Sequence, residues 1–392
     1  MSTPSTHADR WTIPAAGVGD VLASSSVRLV DLRSPAEYAE DHLPGAVNHP
    51  LFDNAERALI GTLYKQASPQ AAFDEARELV LANIRSLVDG IAAAAGRAPV
   101  SANLDALVRR LTEGGFEQAN QALEIVPVAA LPTGALVVHC WRGGMRSASV
   151  ARLLRELGWS DVFLLEGGYK SYRKHVLAAL ETWTAPPSFV LRGSTGVGKT
   201  LVLREIERLR PGWTLDLELH AGHRSSILGM VGLSPCNQKT FDTRIATRLR
   251  EGFPGPCVIE GESRKVGDSI VPASVWRALK EGTHLRLSAP IDYRVKVLID
   301  DYLATEESRA ELRGQLPFIE KRLGETKWTG ELVALLDGGR EAELVEILLE
   351  RYYDPLYGHS EKDYEYSAEF DASEVERVAA KIVAWIEQRS DA

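Results

Sequence analysis

One glycine-rich segment of eight residues restricts the possible folds more than any other feature of this sequence. It lies between the apolar run 189–191 and the helix-forming run 201–209, and it fits the pattern G-x-x-x-x-G-K-[ST]. In such a loop the backbone N–H groups wrap around a phosphate, which requires a strand before the loop and a helix after it. The sequence therefore predicts an α/β domain with a phosphate site formed by Gly193, Ser194, Thr195, Gly196, Val197, Gly198, Lys199 and Thr200.

The ligand of this loop is less restricted than its fold. Lys199 would bring a positive charge to the outer phosphate, and the Thr200 hydroxyl could ligate magnesium if the reaction uses it. Glu260 and Glu262 follow another apolar run and are candidate accessory residues, although a pair of solvated carboxylates would look the same. Any molecule with two linked phosphates would satisfy the loop, whether or not it is a nucleotide.

The length of 392 residues predicts two domains, because it exceeds what one compact core usually holds. Residues 184–188 read Thr-Ala-Pro-Pro-Ser, and consecutive prolines cannot continue a helix. We therefore predict a first domain over 15–183 and a P-loop domain over 188–392. Leu and Ile at helical spacing after about residue 292 predict a helical C-terminal part.

Composition argues against several functional classes. The N-terminus is polar and no 18 apolar residues run together, so we expect a cytoplasmic protein without a membrane partner. The three cysteines, Cys140, Cys236 and Cys257, form no C-x-x-C pair, which fits a reducing compartment and predicts no structural metal. Because the net charge is −9, any nucleic acid must bind through a local basic patch.

Cys140 is the candidate catalytic residue. It follows the apolar run 135–139 and precedes an amphipathic helix predicted over 147–157. A helix N-terminus and nearby arginines favour the thiolate, and successive N–H groups of such a loop can hold an anion. The predicted thiol-loop residues are Arg142, Gly143, Gly144, Met145 and Arg146.

Residues 140–175 also carry the main basic patch, with seven Lys or Arg against three acids. This excess indicates either a surface for RNA phosphates or an ordinary solvated helix face. The basic residues are Arg142, Arg146, Arg152, Arg155, Lys170, Arg173 and Lys174.

Taken alone, residues 139–147 also fit H-C-x-x-G-x-x-R-[ST], the signature loop of cysteine phosphatases. The surrounding text argues for a different class: the stretches 31–38, 42–48 and 166–169 resemble rhodanese domains, with residues 55–125 as a largely helical insertion. The loop has one residue more between Cys140 and Arg146 than single-domain rhodaneses commonly have, and in this it is similar to rhodanese-fold phosphatases.

A rhodanese domain followed by a P-loop domain resembles the tRNA 2-selenouridine synthase family. Several further stretches carry this resemblance in order along nearly the whole chain: Gly61-Thr62-Leu63-Tyr64-Lys65-Gln66, Glu166-Gly167-Gly168-Tyr169-Lys170, Asp216-Leu217-Glu218, His223-Arg224, Glu262-Ser263-Arg264 and Tyr352-Tyr353-Asp354-Pro355-Leu356-Tyr357.

The resemblance implies a two-step reaction at the wobble 2-thiouridine of tRNAs for Lys, Glu and Gln. A geranyl group from geranyl diphosphate is attached to sulfur, and the geranylthio group is then replaced by selenium from selenophosphate. Cys140 matches the selenation cysteine of the family. We expect these two donors and the tRNA anticodon region as substrates, and no tightly bound cofactor.

Some residues keep two interpretations. His223 and Arg224 are candidate phosphate contacts. Tyr352, Tyr353 and Tyr357 could stack on an unpaired RNA base or pack in a core. Two other functional classes stay open: a rhodanese-fold phosphatase or thiosulfate sulfurtransferase fused to a nucleotide-binding domain, and a non-catalytic sulfur carrier switched by nucleotide.

Overall fold

The computed structural model describes residues 11–324, 326–357 and 364–390. The chain divides into two compact units between Ala178 and Ala179, shortly before the proline-containing segment 184–188. The domain ranges 15–183 and 188–392 stay predictions. Within the described ranges, no helix is both long enough and apolar enough to cross a membrane.

The first unit contains a six-stranded sheet in the order β3-β2-β5-β6-β1-β4, with every neighbouring pair parallel. Strands β5 and β6 are buried along their whole length, as expected for a parallel sheet covered on both faces. The strands are β1 Trp11–Ala16, β2 Arg28–Asp31, β3 Ala46–Asn48, β4 Leu123–Pro127, β5 Leu136–His139 and β6 Val162–Leu165. The helices are α1 Val18–Ala23, α2 Pro35–Glu40, α3 Asn54–Gln66, α4 Pro69–Ala94, α5 Leu104–Thr112, α6 Gly115–Ala122, α7 Met145–Glu156 and α8 Gly168–Thr182.

The helical insertion predicted over 55–125 is confirmed as α3 to α6, which lie between β3 and β4. Its longest helix, α4, buries Ile84, Val88 and Ile91 in the same core as the sheet. The insertion ends in a strand that the sequence did not indicate, because β4 is a largely exposed edge strand with no clear alternation of buried and exposed positions. β4 pairs with β1, which the sequence pattern also missed.

The second unit contains a five-stranded parallel sheet in the order β13-β12-β7-β9-β8 and a separate hairpin, β10-β11. Its strands are β7 Ser188–Arg192, β8 Thr214–Leu215, β9 Cys257–Glu260, β10 Lys265–Val266, β11 Ser269–Ile270, β12 Thr283–Ser288 and β13 Tyr366–Asp371. Its helices are α9 Lys199–Leu209, α10 Leu217–Ala221, α11 Gln238–Glu251, α12 Ala273–Glu281, α13 Ile291–Tyr302, α14 Glu306–Leu323, α15 Glu331–Asp337, α16 Glu341–Ile347, a π-helical segment Leu348–Tyr353, α17 Asp354–Tyr357 and α18 Val375–Ser390, with a short 3₁₀ turn at Thr326–Trp328.

The apolar pattern of residues 213–219 predicts a strand, and this prediction is wrong beyond its first part. Only Thr214–Leu215 is extended, and Asp216 then caps α10 by accepting a hydrogen bond from the Leu219 N–H at 2.7 Å. An Asp side chain at this position satisfies a free N–H of the first helical turn, so the local cap outweighed the apolar pattern.

The predicted helical C-terminal part is confirmed by α13 to α16 and the π-helical segment. Tyr352 and Tyr353 are buried in its core, with ring centroids 5.2 Å apart, which favours packing over RNA stacking for both. The side chain of Tyr357 lies outside the described residues.

Candidate functional site

The candidate site of the first unit is the thiol loop, defined as residues 140–146 between β5 and α7. Cys140 lies at its base and is only 2% exposed. Its Sγ is 3.2 Å from the Ser147 Oγ, and the Ser147 hydroxyl also reaches the Gly144 carbonyl at 3.2 Å. Because a hydroxyl has one proton, Ser147 can donate either to the carbonyl or to an ionised sulfur. The sequence indicated Ser147 only as part of the motif and not as a neighbour of the thiol.

The first residues of α8 form the floor of the thiol loop. The Tyr169 N–H donates to the Cys140 carbonyl and the Lys170 N–H to the Trp141 carbonyl, both at 2.9 Å. Gly168 has φ +60°, and a Cβ added there would lie 2.4 Å from both the Cys140 O and the Gly143 N. Only glycine fits this position without displacing the loop.

A buried polar network supports this floor. Arg33 and Asp31 form a fully buried ion pair at 2.6 Å, and Arg33 also donates to the Asp41 carbonyl at 2.7 Å. The Arg33 guanidinium lies 3.7 Å from the centre of the Tyr169 ring, and the Tyr169 hydroxyl donates to the Asp41 carboxylate at 2.7 Å. Burial and this bond raise the pKa of Tyr169, so the hydroxyl keeps its proton. The rhodanese-like residues around the loop therefore act as scaffold.

The predicted thiol-loop residues differ in what they contact. Gly143 is buried at φ +65°, whereas Gly144 is exposed and a Cβ there would meet no atom within 4 Å. Met145 is partly exposed at the start of α7, and the Arg146 guanidinium lies 3.7 Å from the Glu37 carboxylate. Arg142 is exposed. The loop is therefore open on the side of Gly144.

Only some of the seven basic residues of the predicted patch are exposed on the surface. Arg155 donates to the Ser160 and Val162 carbonyls, and Arg173 is largely buried with its guanidinium 3.5 Å from the Asp41 carboxylate. Arg152 is partly buried, and burial lowers its pKa. The exposed cations of the patch are Arg142, Lys170 and Lys174.

The candidate site of the second unit is the phosphate loop, defined as residues 193–200 between β7 and α9. Lys199 begins α9, and its Nζ donates to the Gly193 carbonyl at 3.0 Å, which keeps the ammonium over the loop. A Cβ at Gly193 would lie 2.4 Å from the Leu287 carbonyl oxygen, and Gly198 has φ +90°. The glycines are thus required by close packing and by left-handed backbone.

A side chain that the sequence did not single out braces this loop. Arg294, on α13, is 8% exposed and donates from Nε to the Thr195 carbonyl at 2.9 Å. Its two terminal nitrogens bind the Asp354 carboxylate at 3.0 and 2.6 Å. The helical C-terminal part therefore fixes the main chain of the phosphate loop through one bidentate ion pair.

A cluster of carboxyl groups surrounds the Thr200 hydroxyl, which lies 3.3 Å from Glu218 Oε2 and 3.1 Å from Glu260 Oε2. Glu260 also accepts the Glu218 N–H at 2.9 Å. Burial, followed by the charge of Glu218, raises the pKa of the fully buried Glu260 well above its usual range. Burial and the charge of Glu262 raise the pKa of Glu218 to about 8. The cluster therefore favours a proton or a cation near Thr200.

The other predicted accessory residues lie in the same unit. Glu262 keeps some exposed surface, yet burial of its carboxyl raises its pKa, while the charge of Lys199 opposes the shift. The His223 Nδ1 accepts the Ser225 N–H at 3.0 Å. Arg224 donates to the Val231 and Asp301 carbonyls at 2.8 and 3.1 Å. Phosphate contacts by His223 and Arg224 stay predictions.

Two family models of known proteins match this chain, one within each of its two units. A family model of the rhodanese-like domain matches residues 17–83 and 92–175, and a model of the tRNA 2-selenouridine synthase AAA domain matches residues 186–391. The chain belongs to the tRNA 2-selenouridine synthase family. Membership confirms the predicted fold class, a rhodanese-like domain with a helical insertion followed by a P-loop α/β domain with a helical C-terminal part, and the predicted class of enzyme, a tRNA-modifying transferase.

Several relatives named tRNA 2-selenouridine synthase match over most of their length. The protein of Cupriavidus necator is 32% identical, with 88% of this chain and 91% of the relative covered. The protein of Chromohalobacter salexigens is 30% identical, with coverage of 87% and 90%. The protein of Pseudomonas aeruginosa is 29% identical, with coverage of 94% and 96%.

Proposed function

We propose that this enzyme converts the wobble 2-thiouridine of tRNAs for Lys, Glu and Gln to 2-selenouridine in the cytoplasm, in two steps that use different loops. The observation that carries the proposal is that the chain has two separately built reactive sites, a thiol loop in the first unit and a phosphate loop in the second. A chain with both sites can alkylate the uridine sulfur with a donor whose leaving group is diphosphate, and can then replace the alkylated sulfur by selenium.

In the first step, the phosphate loop holds geranyl diphosphate. The C2 sulfur of the uridine attacks C1 of the geranyl group, the C–O bond to the diphosphate breaks, and the uridine N3 proton leaves with the diphosphate. Lys199, held over the loop by its bond to the Gly193 carbonyl, stabilises the charge that grows on the leaving diphosphate.

A magnesium ion fits this step only if the diphosphate supplies most of its ligands. Among the described residues, no three His, Cys, Asp or Glu side chains are placed to hold a metal ion by themselves. The Thr200 hydroxyl and the Glu260 carboxylate, 3.1 Å apart, would hold the ion together with phosphate oxygens, which is how magnesium usually binds at such sites. The ion would neutralise charge on the diphosphate.

In the second step, selenium replaces the geranylthio group at C2. Geranylated uridine, selenophosphate and water give selenouridine, geranylthiol and phosphate, so that the uridine N3 and the leaving sulfur each regain a proton. Alkylation makes this exchange possible, because a thiol leaves more easily than a sulfide. Cys140 serves this step as a nucleophile: its thiolate attacks C2 and expels geranylthiol, and hydrogen selenide released from selenophosphate by water then displaces the Cys140 thiolate, its proton going to N3. Ser147 is able to donate to the ionised sulfur of Cys140.

The two steps can be separated with two single variants. We expect Cys140→Ser to abolish selenation and to leave geranylation intact, so that geranylated tRNA accumulates. Lys199→Ala should abolish geranylation, yet it should still form selenouridine from tRNA that is already geranylated. Mass spectrometry of tRNA nucleosides measures both outcomes.

Three results would refute these assignments. Normal selenation by Cys140→Ser would show that the Cys140 thiol is not needed for the selenation step. ATP hydrolysis that tracks product one for one would make the phosphate loop a nucleotide site, since geranylation should proceed without added nucleotide. Rapid hydrolysis of an aryl phosphate at Cys140 would identify the thiol loop as a phosphatase site.

A further inference from the structure

The thiol loop carries an aromatic side chain that neither the motif nor the proposed chemistry uses. Trp141 follows Cys140 directly, and its side chain is partly exposed. Its ring centroid lies 5.2 Å from that of Tyr169, with the two planes tilted by 36°. Tyr169 is 1% exposed and carries the Arg33 guanidinium 3.7 Å from its ring centre. Trp141 is therefore the partly exposed member of a group of neighbouring side chains, with Tyr169 and Arg33, that is otherwise buried.

The position of Trp141 relative to the thiol is fixed by the main chain. The Lys170 N–H donates to the Trp141 carbonyl and the Tyr169 N–H to the Cys140 carbonyl. The buried ion pair of Arg33 and the bond from Tyr169 to Asp41 hold the supporting groups in turn. A flat ligand that stacks on Trp141 would thus lie at a fixed place beside the loop that holds Cys140.

Exposed cations lie beside this ring. Lys170 and Lys174 are both exposed on α8, and residues four apart lie on the same face of a helix. The backbone bond from Lys170 to Trp141 places the first of them next to the thiol loop, and Arg142 is exposed on the loop itself. A partly exposed aromatic ring with several cations nearby matches single-stranded nucleic acid, in which bases stack on aromatic side chains and phosphates bind Lys or Arg.

We infer that Trp141 is the platform on which the target uracil of the tRNA stacks, and that Lys170 and Lys174 bind the phosphates beside it. Stacking needs no particular hydrogen-bond pattern, so the same platform accepts the uracil with sulfur, geranylthio or selenium at C2. The inference rests on the proposed function, because it assumes that the tRNA base comes to the thiol loop.

The first test measures binding without either donor. The probe is an anticodon stem-loop RNA with 2-thiouridine at the wobble position, compared with the same RNA lacking that base, by fluorescence anisotropy. We expect the wild type to prefer the complete RNA by about 5- to 150-fold, the range for stacking on one aromatic side chain. Trp141→Leu should lose this preference and Trp141→Phe should keep part of it. Phe116→Leu, which removes another partly exposed aromatic side chain of the first unit, should keep all of it.

The second test addresses the lysines. Lys170→Gln combined with Lys174→Gln should reduce the slope of log K against log salt by about 1.4–1.8, since each lost phosphate contact removes about 0.7–0.9. Its preference for the base-containing RNA should not change. Arg109→Gln, at an exposed cation of α5, should leave both quantities unchanged. Because these variants remove only exposed charge, they remain informative even if the leucine variant folds poorly.

The results that would overturn the inference differ from those that would overturn the proposed function. An undiminished preference for the complete RNA in Trp141→Leu and Trp141→Phe would refute the platform. An unchanged salt slope in the double lysine variant would refute the phosphate contacts. Neither result depends on product formation, whereas the roles of Cys140 and Lys199 are decided by nucleoside analysis and by the ATP and aryl phosphate hydrolysis assays.

Discussion

Replacing Gly168 by alanine should damage the selenium step more than the fold. The added Cβ would lie 2.4 Å from the Cys140 O and the Gly143 N, whereas ordinary contacts begin at 3.4 Å. Both neighbours are backbone atoms, so the thiol loop itself must move. A displacement of about 1 Å at a reacting group typically costs about 100-fold in rate. We therefore expect Gly168→Ala to reduce selenation of geranylated tRNA about 100-fold.

Gly134→Ala is the matched control for this variant. Gly134 has φ +77°, close to the +60° of Gly168, but a Cβ there would meet nothing within 4 Å. Both substitutions carry the same left-handed strain, about 1–2 kcal/mol for a residue with a Cβ. The difference between the two variants therefore reports the contact with the thiol loop alone.

The assay measures single-turnover selenation of geranylated tRNA, geranylation of thiolated tRNA, and the melting temperature of each variant. Both variants should geranylate normally and melt at similar temperatures, and only Gly168→Ala should be slow in selenation. Equal selenation rates in the two variants would show that the loop tolerates the displacement, and the reasoning from Gly168 would then be wrong.

Three further predictions follow from the same structure. Asp31→Asn should lower the unfolding free energy of the first unit by about 3–5 kcal/mol in urea denaturation, because it leaves the buried Arg33 without its ion-pair partner; a loss below about 1 kcal/mol would contradict this. Arg294→Lys and Asp354→Asn should each raise the KM for geranyl diphosphate and leave selenation of geranylated tRNA unchanged. An unchanged KM would show that the contact of Arg294 with the phosphate loop does not affect donor binding. Burial lowers the pKa of both His220 and His284 to about 4, against 6.5 for unperturbed histidine, so the unfolded state binds more protons than the folded state between these two pH values. The melting temperature should therefore fall as the pH drops from about 6.5 towards 4. If the melting temperature of a variant with glutamine at both positions falls as steeply, these histidines are not the cause of the pH dependence.

The parts of the site that the sequence predicted are those encoded by neighbouring residues. The phosphate loop and the thiol loop each follow a buried strand and precede a helix, so a short motif defines them. Ser34 and Glu37 likewise form a capping box at the start of α2, and their spacing of three residues is enough to predict it from the sequence. Such features depend on backbone geometry over a few residues and need no knowledge of the remaining chain.

The parts that the sequence did not predict depend on contacts between distant residues. Nothing near Arg294 indicates that it binds the Thr195 carbonyl, because both its partners are remote in the sequence. Gly168 is recognisable as part of a rhodanese-like stretch, yet its close contact with Cys140 requires the folded sheet. Edge strands such as β4 carry too little burial to be read from periodicity.

The pair formed by Arg294 and Asp354 also has a consequence for how the enzyme is made. Thr195 and Asp354 are separated by about 160 residues, which a ribosome adds in about 8–30 s at ~5–20 residues per second. During this interval the nascent chain already contains the phosphate loop but not the carboxylate that holds its brace. If the phosphate loop holds the diphosphate donor as proposed, we expect donor binding to develop late in synthesis. A chain that stops before Asp354 would carry the glycine-rich loop without the carboxylate that holds Arg294.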